Sequence, residues 1–220
     1  MIHKIGFVFI VFFAVLGCGV DKNDPINLYN RYSKFENGLN FLSAKLDISS
    51  LENKNSFEIS FSPNKIDVIN LTPKSGLSNA RISDGMISLN FKNGEKKSVE
   101  DSIWNRISSG IPENLGINPY SEFKSDIQPK LKKVSKDEIL AIQMYDGKQI
   151  VQKVTFNQNK IEKSSTFVED ILLRETFYYD HIILNNDLYF PKRVLTIIYA
   201  KDKEPMRSEQ NYTVNKIEML

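Results

Sequence analysis

The sequence predicts a mainly β, α+β fold: a curled antiparallel sheet of about eleven or twelve strands with helices packed on its concave side. Three observations predict it. Period-two alternation of apolar and polar residues recurs along most of the chain. Short turn signals such as Asn93-Gly94 and Asp146-Gly147 break it at intervals suited to hairpins. Only two segments carry helical spacing. A sheet of that many strands is too wide to lie flat, so it has to curl.

The first residues read differently from the rest. His3 and Lys4 form a short positive region, and Ile5 to Leu16 is apolar throughout apart from Gly6. A transmembrane helix needs roughly 20 apolar residues. This shorter run suits the hydrophobic region of a signal peptide, residues 1–17. The junction Val15-Leu16-Gly17-Cys18 resembles the lipobox of bacterial lipoproteins, with the small Gly17 just before the cysteine. That resemblance implies cleavage between Gly17 and Cys18 and a diacylglyceryl group on the Cys18 thiol. The alternative is an ordinary secretory signal followed by a chance cysteine. Two or three acyl chains of the palmitate kind, at about 0.8 kcal/mol per buried methylene, make a stable anchor. Residues 18–23 then form a lipidated tether, and residues 24–220 form one domain.

Asp24-Pro25 reads as a helix start, with Asp as N-cap and Pro at the first helical position. Leu28, Tyr32, Phe35 and Leu39 follow on one helical face, with Gly38 near its end. Asn40 to Ile48 alternates as a strand. Phe57, Ile59 and Phe61 alternate with polar residues, as do Ile87, Leu89 and Phe91, and turns are expected at Pro63-Asn64, Asp84-Gly85 and Asn93-Gly94. Asn93-Gly94 is a type I′ hairpin signal. Ser98 to Ser109 has helical spacing at Val99, Ile103 and Ile107, with Trp104 beside them. Gly110 to Pro129 is rich in Pro and Gly and is expected to be irregular. Longer strands follow: Glu138–Tyr145, Gln149–Phe156, Ile161–Val168, Ile171–Leu184, Leu188–Ala200 and Glu209–Met219. Pro191 requires that its strand lie at an edge or start late.

Composition excludes several kinds of function. The chain carries 29 basic and 27 acidic residues with no concentrated basic face, which argues against a nucleic-acid partner. Cys18 is the only cysteine, so with Cys18 lipidated no thiol is left for a disulfide framework, a thiolate metal site or a cysteine nucleophile. His181 is the only histidine left after cleavage and reads as an ordinary strand residue. The adjacent carboxylates Glu169 and Asp170 read as a turn, not an acid/base pair. With no nucleophile–base–acid set and no metal constellation, the expectation is a non-enzyme with no cofactor beyond the covalent lipid on Cys18. Lys130, Lys132, Lys133 and Lys136 form a basic cluster that either faces anionic lipid heads or is a solvated linker. The sheet interior is either a packed core or an apolar ligand cavity, and periodicity does not separate the two.

The order of elements resembles the LolA/LolB superfamily, the periplasmic carriers and outer-membrane acceptors of lipoproteins. The residues that carry the resemblance run from Asn70 to Leu115: Leu71-Thr72-Pro73 at a strand end, the strand Ile87-Ser88-Leu89-Asn90-Phe91, the turn Asn93-Gly94-Glu95, a helix around Trp104, and Gly110-Ile111-Pro112-Glu113-Asn114-Leu115. Tyr178-Tyr179-Asp180 followed by Leu188-Tyr189-Phe190-Pro191 is similar to the paired strands of that family. With Cys18 lipidated, the chain looks closer to the LolB-type acceptor than to the soluble carrier.

The resemblance implies an unclosed β-barrel with an apolar cavity for acyl chains, lined by Phe57, Phe61, Leu89, Phe91, Trp104 and Phe190. Trp104 alternatively belongs to the core. The acceptor family carries an apolar residue on the loop after the third strand. Here Pro73 is followed by Lys74, and Leu77 sits at a different offset. Leu77 is either a membrane-contact tip or packs back on the sheet. The implied partners are a membrane, acyl chains of lipoproteins or lipids, and a soluble LolA-type carrier. The implied location is the bacterial envelope, lipid-anchored at the outer membrane on its periplasmic face or surface. The rival readings are a lipid-sensing or scaffold module of the same fold, and a surface-exposed structural or adhesive lipoprotein.

Overall fold

The computed structural model describes residues 23–50, 54–72, 76–108, 117–123, 127–184 and 188–219. The signal peptide, Cys18, most of the tether, Lys74 and the Gly110–Leu115 stretch lie outside them.

Among the described residues the fold is mainly β, one curled and unclosed antiparallel sheet of 13 strands, against an expectation of eleven or twelve. In chain order they are β1 (Leu39–Ser50), β2 (Lys54–Ser62), β3 (Lys65–Asn70), β4 (Leu77–Ser83), β5 (Met86–Phe91), β6 (Lys96–Glu100), β7 (Lys130–Ser135), β8 (Glu138–Tyr145), β9 (Lys148–Asn157), β10 (Lys160–Val168), β11 (Ile171–Ile183), β12 (Tyr189–Ile198) and β13 (Met206–Met219). The spatial order is β6-β5-β4-β3-β2-β1-β13-β12-β11-β10-β9-β8-β7. The two meanders meet where β1 pairs with β13, from Leu39 opposite Met219 to Ser50 opposite Ser208. Among the described residues β6 and β7 are free edges. The extra strands are β6 and β7.

Hairpin chemistry explains the regularity. Asp84-Gly85, Asp146-Gly147, Gln158-Asn159 and Glu169-Asp170 each place both central residues at positive φ, the type I′ geometry that suits twisted strands. Asn93-Gly94 differs. Only Gly94 has positive φ, at 89°, and Gly94 N–H donates to the Phe91 carbonyl at 3.0 Å while Phe91 N–H donates to the Glu95 carbonyl at 2.9 Å. This is a type I turn closed by a glycine bulge, a three-residue loop in place of the expected two-residue one.

Two helical expectations are shortened. Helix α1 (Pro25–Ser33) begins as the sequence predicts, with Asp24 Oδ2 accepting from Ile26 N–H at 3.2 Å. It ends before Phe35, where a 3₁₀ turn (Phe35–Gly38) leads into β1. The predicted helix over Ser98–Ser109 becomes β6 followed by the short α2 (Ile103–Ser108). Val99 pairs with Ile87 and extends the hairpin, and Ser102 Oγ caps α2 by accepting from Asn105 N–H at 3.2 Å. Residues 130–136 are not a linker but β7 and the turn after it.

Pro191 lies in β12, which is interior, between β11 and β13. The ladder skips the Asp180–Lys192 pair beside it without a shift of register. Asp180, in the opposite strand, has φ 54°, and pairing resumes in the same register from Tyr179–Arg193 to His181–Pro191.

Candidate functional site on the concave face

One face of the sheet forms the core. Leu46, Phe57 and Tyr212 share one row of cross-strand partners, and Ala44, Ile59 and Val68 the next, all nearly fully buried. Helix α1 and the two 3₁₀ turns sit over β7–β13. Tyr29 and Tyr32 of α1, Phe35, and a segment from Ile117 to Phe123 that ends in a 3₁₀ turn (Ser121–Phe123) fill that half of the concave side.

The filling is aromatic. Tyr32 lies edge-on to Tyr120 with centroids 4.7 Å apart, and Phe35 meets Tyr120 at 5.4 Å. Tyr120 meets Tyr178 of β11 at 5.3 Å, and Phe190 meets Tyr212 at 5.2 Å. Each fully buried aromatic contributes about 1.5–3 kcal/mol from area alone. Their hydroxyls are satisfied. Tyr120 donates to the Tyr189 carbonyl at 2.7 Å, Tyr32 to the Asn159 carbonyl at 2.9 Å, and Tyr212 to Gln210 Oε1 at 3.0 Å. Burial holds these phenols protonated. Desolvation pushes Tyr29 up to about 12 and raises Tyr32, Tyr120, Tyr178 and Tyr212 as well.

Toward the other strand ends the concave face turns polar. Glu122, its side chain 7% exposed, accepts a 2.9 Å ion pair from Arg174, a 3.2 Å hydrogen bond from Thr176 Oγ1 and one from the Tyr178 hydroxyl. Gln152 Nε2 donates to Ser164 Oγ at 3.2 Å. Among the described residues, Arg174 Nε and Thr166 Oγ1, on directly opposed residues of β11 and β10, are buried without a partner.

Beyond this belt the same face ends in an uncovered apolar rim. Ile198 (41% exposed) pairs with Met206 (57%) and with Arg174, and Ile171 (66%) pairs with the half-buried Val168. The concave surface thus offers a closed aromatic core, a polar belt and an apolar lip. Among the described residues no His, Cys, Asp or Glu cluster suited to a metal is present.

No protein-family model matches the chain, and no curated protein sequence matches it. Solved structures do. A LolA superfamily protein from Nitrosomonas europaea superposes with a TM-score of 0.52 at 9% identity, over 89% of this chain and 93% of that one. A putative outer membrane lipoprotein-sorting protein domain from Vibrio parahaemolyticus gives a TM-score of 0.50 at 10% identity, over 87% of this chain and 90% of that one. The fold is LolA-like. At these identities the likeness is one of architecture.

Within the LolA-like sheet, the residues expected to line the interior separate into two groups. Phe57, Phe61, Leu89 and Phe190 are buried on the concave face, and Phe91 continues the Ile87–Leu89 face and packs on the core. Trp104 does not belong with them. It is 76% exposed on α2, neither cavity lining nor core.

Leu77 resolves to the second of its two readings. It is the first residue of β4, 2% exposed, and pairs with Phe91. It packs back on the sheet and is not an exposed tip. Sequence reasoning missed Glu122, Arg174 and the rim. Their significance depends on which strand ends the Ile117–Phe123 segment covers, and that segment has no periodicity to read.

Proposed function

We propose that this chain is a lipid-anchored envelope protein, a single domain over residues 24–220, that binds acyl chains on its apolar concave side and assists lipoprotein localisation to the outer membrane. The observation that carries the reading is the uncovered rim of Ile171, Ile198 and Met206 on the same face as the buried core, within a LolA-like sheet. Acyl chains cannot cross an aqueous compartment exposed, and an apolar lip opening onto a concave face removes them from water. The Vibrio neighbour's description as a lipoprotein-sorting domain supports the same role here. Cys18 carries the anchor, Gly17-Cys18 is the cleavage point, and a soluble LolA-type carrier is the expected donor. The LolB-type acceptor role rests on that anchor.

The test is native mass spectrometry, with lipid extraction, of the mature chain carrying Cys18→Ala. Stoichiometric acyl ligand, or saturable displacement of an apolar dye that is lost in Ile198→Asp/Met206→Asp, supports the reading. Protein that binds neither lipid, dye nor acyl peptide rules it out.

A second reading has its own observation. The half of the concave side under β7–β13 is closed by rings at 0% exposure, Tyr32, Phe35, Tyr120 and Phe190. A scaffold or lipid-sensing module with a packed core fits that, and a ligand-free protein in the same experiment would favour it.

A further inference from the structure

The point where the chain enters the fold is fixed, and it is basic. Asp24 Oδ1 ion-pairs with Lys133 Nζ of β7 at 2.6 Å, and Asn159 Nδ2 donates to Asn23 Oδ1 at 2.8 Å. Asn23 and Asp24 therefore lie in a recess with Lys133, Lys136, Asp137 and Asn159, at the strand ends that carry the β7–β8 and β9–β10 turns. Lys133 belongs to the edge strand β7, which also exposes Lys130 and Lys132, and the following turn exposes Lys136, whose side chain is 91% accessible. Among the described residues neither Lys130 nor Lys132 has an ion-pair partner. The nearby Glu138 is neutralised by Lys153 at 2.8 Å. Lys132, Lys133 and Lys136 thus lie at this end of β7 with Asp24 and Asp137, and Lys130 lies toward the other end, level with Leu172 through Ile142, Val151 and Phe167.

We propose that the β7–β8 turn and the end of β7 that leads into it are the surface that rests on an anionic lipid bilayer, with Lys132 and Lys136 against the headgroups. The proposal rests on the lipid anchor at Cys18. From Cys18 to Asn23 is five residue steps, which span at most about 18 Å when fully extended. An anchor on so short a leash keeps the Asp24–Lys133 corner within that distance of the lipid. Basic groups near an anionic surface are drawn to it, and the attraction fades over a Debye length of about 8–10 Å.

The apolar rim lies at the opposite strand ends. Ile198 closes β12 and Met206 opens β13, while the turn that pairs with the tether lies at the other end of the ladder. Ten-residue β12 alone spans about 33 Å. In this orientation the rim points away from the bilayer, toward incoming cargo. Lysines on an edge strand also discourage strand addition by other chains; that role predicts aggregation on their removal and no lipid dependence.

The experiment uses the full chain, exported with its own signal and purified with its anchor. Mass spectrometry of the N-terminal peptide first establishes whether Cys18 carries diacylglyceryl. The protein is then reconstituted in phosphatidylglycerol-rich vesicles. Fluorophores are placed at Val134→Cys, on β7, and Lys201→Cys, in the turn before β13, and quenched by lipid carrying a headgroup nitroxide. Val134 should be quenched at least about threefold more than Lys201, and the difference should collapse in zwitterionic vesicles, at high salt, and in Lys132→Glu/Lys136→Glu. Equal quenching, stronger quenching at Lys201, or a difference that survives the double reversal overturns the proposal. If Cys18 proves unmodified, the anchor reading falls by itself. The lysine surface then stands only if the unmodified chain cosediments with phosphatidylglycerol vesicles in a salt-sensitive way that the double reversal weakens about tenfold or more, and it falls if it does not.

Discussion

Glu122 and Arg174 join across the concave face in a 2.9 Å ion pair that ties a segment outside the strands to the sheet. Glu122 ends up 7% exposed because the Ile117–Phe123 segment dives between α1 and β11 to bury Tyr120 and Phe123. A carboxylate carried down with them needs compensation, and Arg174, Thr176 and Tyr178 supply it.

Removing the compensation exposes its size. Arg174→Met leaves Glu122 buried beside two neutral donors and should destabilise the protein by about 1–3 kcal/mol, less than a fully buried pair because the Arg174 side chain is 37% exposed. Glu122→Gln/Arg174→Met should cost less than the sum of the two single changes. Urea unfolding of all three variants measures the coupling, and strict additivity would mean that the pair does not hold the segment down.

Leu77 belongs to stability. At 2% exposure, opposite Phe91, it fills the concave face of β4 and β5. Leu77→Ala should lower unfolding free energy by about 2–5 kcal/mol and leave association with vesicles unchanged. A stable Leu77→Ala protein that associates poorly with membrane would restore the loop-tip role.

How much of this was legible in the sequence follows from what each element depends on. The strands after Glu138 were readable to within a residue or three because each hairpin states its own turn, as Asp146-Gly147 does. The helix start at Asp24-Pro25 was readable because capping is local. β6 was misread because Val99, Ile103 and Ile107 have helical spacing, while the partner that makes Val99 a strand residue is Ile87, twelve positions away. β7 was hidden by its lysines, since an edge strand has no buried outer face to force alternation. The concave residues Phe57, Leu89 and Phe190 were legible from period two. The Glu122–Arg174 pair was not, since 52 residues separate partners brought together only by the curl of the sheet.

Trp104 is the only tryptophan and lies 76% exposed. Its emission should be as red as that of indole in water and fully open to iodide quenching, and Trp104→Ala should change stability by no more than about 0.5 kcal/mol. Blue-shifted, shielded emission would put it back in the interior. Because the label is native, the same spectrum reports whether α2 becomes covered when an acyl ligand binds.

Glu175 sets an acid sensitivity on the convex face. Its carboxylate pairs with Lys163 at 2.5 Å and accepts from the Tyr199 hydroxyl at 2.6 Å, and these hold it ionised below the ordinary value of 4.5. A lowered folded-state value means that the unfolded chain takes up the proton first. The stabilisation is therefore complete above about pH 4.5 and drains away as pH falls through the folded-state value. Glu175→Gln removes the titration, so its stability should fall less steeply than that of the parent below pH 4.5, while the two curves run parallel from pH 6 to 8. Thermal unfolding followed across that range reads the difference directly. Parallel curves all the way into acid would mean that Lys163 and Tyr199 contribute nothing to holding the charge, and that this ion pair is no stronger than an ordinary exposed one.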